Sequence, residues 1–144
     1  PNGKQRLNRM REMLDRYESK PKQGADEIPL KINPASMAED QKREFLRGFN
    51  STKDKGLADI AEFFQIERSF ADKLDELFNY MRGRQGRYRF TGSQVLFNST
   101  SDANIYNQHL SDIRTIAQRE DAWRVKMQRQ GTDQIDQMQK LLKR

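Results

Sequence analysis

The chain has 144 residues, 33% of them charged and 34% hydrophobic, with 27 Lys and Arg against 21 Asp and Glu and a net charge of +6. It has no cysteine, which excludes disulfides, thiol nucleophiles and Cys-ligated zinc or iron–sulfur clusters. No stretch approaches the roughly 20 consecutive apolar residues of a membrane span.

Leu, Ile, Val and Phe together number only 29, which predicts thin apolar seams and no thick core. No signal-peptide pattern opens the sequence. With the lack of cysteine, that leads us to expect a reducing intracellular compartment. The charge is uneven: residues 50–81 carry a surplus of acid, whereas residues 82–98 contain four arginines and no acidic residue.

Leu7, Met10, Leu14 and Tyr17 recur at spacings of three and four, predicting a short amphipathic helix over 4–18. Residues 19–35 hold Pro21, Pro29, Pro34 and Gly24, so they read as an extended arm or connector. Within it, Ile28, Leu30 and Ile32 alternate with Pro29 and Lys31. Ser36 and Glu39 have the spacing of a capping box ahead of a helix over about 37–47, which Gly48 can end.

Phe49-Asn50-Ser51-Thr52-Lys53-Asp54 is echoed by Phe97-Asn98-Ser99-Thr100-Ser101-Asp102. Each places Ser three residues before Asp with Phe upstream, the signature of a helix start. The first start leads into a helix over about 52–82, with Leu57, Ile60, Phe64, Phe70, Leu74, Leu77 and Met81 along its seam. The second leads into a helix over about 100–143, with a kink or break expected near Gly131. At 1.5 Å per residue these two would span roughly 45 and 66 Å. The longer seam then needs a further partner over its C-terminal half. Between them, residues 87–90 and 94–97 form either a small hairpin or a crossover.

The pattern predicts an all-α protein, either an elongated antiparallel long-helix hairpin or a small helical bundle. Residues 1–35 form its N-terminal arm and residues 36–144 its helical domain. We expect no catalytic, cofactor or metal site and no small-molecule substrate. His109 is the only imidazole, and its spacing from Asp112 suits an ordinary helix face as well as a general base. No phosphate loop or metal-ligand spacing occurs.

Two sets of residues stand out. Arg82, Arg84, Arg87, Tyr88, Arg89 and Phe90 interleave guanidinium groups with aromatic rings, a composition that suits nucleic acid or an acidic protein surface. A solvated loop paired with the acidic helix 52–81 would look the same. Trp123, Met127, Ile135, Met138 and Leu142 continue the last seam and are the candidate interface. The leading expectation is a non-enzymatic helical structural or assembly subunit that forms a homo-oligomer or docks on partner helices. The alternative is a nucleic-acid-binding accessory or packaging protein that uses residues 82–90.

Overall fold

The structure is a computed structural model that describes residues 3–31 and 38–142, without the side chains at 30, 31, 134, 137, 138 and 140–142. The described residues are mostly helical. Their elements in chain order are α1 (Gly3–Glu18), α2 (Lys20–Lys31), α3 (Glu39–Gly83), β1 (Tyr88–Thr91), β2 (Gln94–Phe97) and α4 (Thr100–Leu142). None of the helices is long and apolar enough to cross a membrane. The chain divides into two compact units, Pro1–Arg68 and Ser69–Arg144, with the boundary inside α3.

Residues 20–31 are helical, where the sequence predicts an extended connector. Pro21 lies in the first turn of α2, where a missing N–H costs no intrahelical bond. Pro29 lies in the last turn, two residues before the helix ends. The Ser19 carbonyl accepts from the Gln23 N–H at 3.2 Å. Ile32, Pro34 and Ser36, and with Ser36 the expected capping box, fall outside the described residues. At the start of α3 the Gln41 Oε1 accepts from the Ala38 N–H at 3.4 Å, the back-reaching half of such a box.

The two helices expected over 37–47 and 52–82 are one helix of 45 residues. Gly48 and Gly56 lie inside it. Each costs only about 1 kcal/mol relative to Ala, and no proline enforces a stop. The Thr52 hydroxyl donates to the Gly48 carbonyl at 3.0 Å, a bond made within the helix and not at its start. Phe45 and Phe49 stack with centroids 6.1 Å apart. The helix α4, 43 residues long, runs through Gly131 without a break. The large difference in length expected between the two long helices is therefore absent.

In the first unit, Leu7 and Leu14 of α1 and Phe64 and Ile66 of α3 are buried. Arg68 donates to Asp15 at 2.8 Å and to Glu18 at 2.6 Å, and Lys53 pairs with Asp26 at 3.2 Å. In the second unit, Ala71, Leu77 and Ile116 are buried. The α4 helix starts on Ser99, whose Oγ accepts from the Asp102 N–H at 3.4 Å, as the Ser-to-Asp spacing predicts.

Strands β1 and β2 form an antiparallel hairpin that pairs Tyr88 with Phe97, Arg89 with Leu96, Phe90 with Val95 and Thr91 with Gln94. The Asn98 N–H extends the ladder to the Arg87 carbonyl at 2.9 Å. Gly92 has φ +60° and begins the two-residue loop, as a type II′ turn requires. Gly92→Val puts a β-branched residue in that conformation, at a cost of about 1–2 kcal/mol. The expected result is faster amide exchange across 88–97 with the helices unchanged by circular dichroism.

Candidate functional site

The arginine-rich segment occupies the end of the second unit, and its residues have separate fates. Arg84 Nε donates to Asp102 Oδ1 at 2.8 Å, and its guanidinium carbon lies 5.2 Å from the centre of the Tyr80 ring. The Tyr80 hydroxyl donates to the Asp102 carbonyl at 2.8 Å and approaches its Oδ1 at 3.2 Å. Asp102 is buried, so a carboxylate at the first turn of α4 holds the last turn of α3. Arg84 is committed to this clamp and is withdrawn from the set of free contact residues. Its acidic partner lies on α4 and not on the acidic helix 52–81.

The Arg84 hydrogen bond, helped by Tyr80 and the charges of Arg84 and Arg87, holds the Asp102 carboxyl below its usual range despite burial. A depressed carboxyl stabilises the folded state above its unfolded pKa of about 3.9. That contribution disappears as pH falls through the lower folded value. Asp112 is depressed in the same direction by the Gln108 hydrogen bond and by Lys73. We therefore expect the second unit to lose stability only below about pH 4, read as loss of tyrosine near-ultraviolet dichroism, with Asp102→Asn flattening the profile.

Arg82 donates to Asn79 Oδ1 at 2.9 Å. Arg82, Arg87, Arg89 and Phe90 are exposed and Tyr88 is half-buried. Within β1 the interleaving seen in the sequence does not survive folding, because strand alternation sends the Arg89 guanidinium and the Tyr88 and Phe90 rings to opposite faces. Tyr88 packs on Phe97 with centroids 5.6 Å apart and on Phe90 at 5.6 Å. Phe97 in turn meets Tyr106 at 5.3 Å and Tyr80 at 6.3 Å. This aromatic cluster seats the hairpin on α3 and α4. Phe90 belongs to the same face but overhangs it, 70% exposed.

His109 is half-buried against Tyr80, with ring centroids 5.4 Å apart. Its Nδ1 lies 4.0 Å from Glu76. Asp112 instead accepts from Gln108 at 2.8 Å and pairs with Lys73 at 3.4 Å. The two residues therefore do not form the base pairing that their spacing allows. Among the described residues no group of three or more His, Asp or Glu could hold a metal.

On the other candidate surface, Trp123 and Met127 are half-buried and Ile135 is 56% exposed. The side chains of Met138 and Leu142 lie outside the described residues. In the first unit a cleft of about 220 Å³ is lined by Leu57, Ile60, Ala61 and Phe64, with Glu18 and Lys22 at its rim.

Sequence reasoning missed Asp102 as the organising residue, having read it only as a helix-start residue. Its spacing from Ser99 marked the helix start, but its pairing with Arg84 spans 18 positions and has no local signal. No protein-family model, curated protein or solved structure matches this chain.

Proposed function

We propose that this chain is a non-enzymatic helical assembly subunit that associates with further copies of itself. One observation carries the reading. Among the described residues seven apolar side chains are buried, while nine large ones are exposed, including Met13, Ile105, Val125 and Ile135. Beyond Ile116 no described side chain of α4 is fully buried. Moving one such side chain out of water is worth about 1.5–3 kcal/mol. Val125 and Ile135 lie on the C-terminal half of α4, and there a further copy of the chain could take apolar side chains out of water.

Within the second unit we propose that α3 and α4 form an antiparallel helical hairpin. The support is the order of their contacts: Lys73 with Asp112, Glu76 with His109 and Arg84 with Asp102. Residue numbers rise along one helix as they fall along the other. The lone imidazole lies against Tyr80 and 4.0 Å from Glu76, a setting that supports a structural use of this group over a catalytic one.

The test is the double variant Val125→Glu/Ile135→Glu. Both positions are exposed, so each helix should form as before, by circular dichroism. The expected result is a sedimentation coefficient lowered to that of a 17.0 kDa monomer. An assembly of unchanged size would remove these residues from the interface.

A further inference from the structure

We infer that the outer face of the β1–β2 ribbon is a docking surface for duplex DNA and that it enters the major groove. This goes beyond the assembly reading and uses different residues. Arg89 and Thr91 alternate with the inward ring positions on β1, and Leu96 and Gln94 face them across the ribbon by register, while Arg87 and Asn98 flank the two strands and are joined by one further backbone bond. All six are exposed, while on the reverse face Tyr88, Val95 and Phe97 are half-buried and Phe90 overhangs into solvent. The ribbon thus has one polar, basic face and one face fixed to the helices.

Charge favours an anionic partner. No acidic residue occurs from 82 to 98. The charge of Arg84 is met by Asp102, whereas Arg82 meets only the neutral Asn79 amide. Arg87 and Arg89 stand on the exposed face.

Side-chain chemistry and size then select the duplex. The major groove, about 12 Å wide, admits a two-stranded ribbon, whose strands lie about 4.8 Å apart. Arginine pairs with the guanine O6/N7 edge, Gln and Asn with the adenine N6/N7 edge, and Thr or Leu can meet the thymine methyl. A single strand would instead ask for aromatic stacking beside the arginines, and here Tyr88 and Phe90 lie on the other face. The Gly92 turn and the aromatic cluster behind the ribbon fix its shape in advance, so little ordering is lost on docking.

The experiment titrates the full chain into a fluorescein-labelled 20-base-pair duplex of mixed sequence, read by anisotropy at several salt concentrations. We expect micromolar binding that weakens steeply with salt, reduced at least 10-fold in Arg87→Ala/Arg89→Ala. Both side chains are exposed, so circular dichroism should be unchanged. Gln94→Ala/Asn98→Ala should alter the sequences selected from a randomised duplex pool. Absence of binding overturns the proposal, as do an undiminished Arg87→Ala/Arg89→Ala variant and equal or tighter binding to a single strand of the same length. An unaltered selection by Gln94→Ala/Asn98→Ala overturns the major-groove placement. Displacement by polyglutamate as effective as by unlabelled duplex would assign the face to an acidic protein and overturn the proposal.

Discussion

Ile66→Ala is expected to lower the stability of the first unit by about 2–5 kcal/mol. Ile66 is 2% exposed, and α3 places it within two residues of Phe64 and Arg68. Truncation removes the transfer free energy of three carbons and leaves a void that a helix of this length closes only in part. So few side chains are fully buried that losing one removes a large share of the core. The measurement is urea unfolding followed by helical dichroism. Ile28→Ala, in the same unit and 43% exposed, is the control and should cost much less. Equal effects at both sites would mean that Ile66 is not a core residue.

Asp102→Ala has the second largest expected effect, and it is local. The carboxylate receives Arg84 and Tyr80 together. Without it, the Arg84 guanidinium at the end of α3 loses its charged acceptor and Tyr80 keeps only its bond to the Asp102 carbonyl, and a donor left without its partner is costlier than losing both members of a pair. Hydrogen bonds to charged groups are the stronger class, so amide exchange across 88–97 should quicken by an order of magnitude or more. The helices should remain. Tyr80→Phe, which removes one donor and keeps the ion pair, should fall between the variant and the parent. Unchanged exchange in Asp102→Ala would show that the aromatic cluster alone seats the hairpin.

Helical character was legible in the seams, because apolar spacings of three and four survive whatever the tertiary context. Helix ends were legible only where a side chain supplies the cap. Ser99 does so, and α4 begins where the spacing predicts. Gly48 was a poor guide, since glycine weakens a helix without stopping it. Pro21 misled too, because a proline in the first turn of a helix is tolerated, and α2 carries Pro29 in its last turn at the loss of one intrahelical bond. The hairpin was one of two alternatives in the sequence. The split of Arg89 from Tyr88 and Phe90 onto opposite faces follows only once the register is known. Arg84 could not be separated from Arg87 or Arg89 by local sequence, because Asp102 is distant in the chain.

We propose above that copies of the chain associate through apolar side chains that one copy leaves exposed. Light scattering coupled to size-exclusion chromatography, at several concentrations and moderate salt, tests it most directly. The expected mass is a multiple of 17.0 kDa that persists in moderate salt, since apolar contacts are not screened. A mass of one chain at every concentration would contradict it.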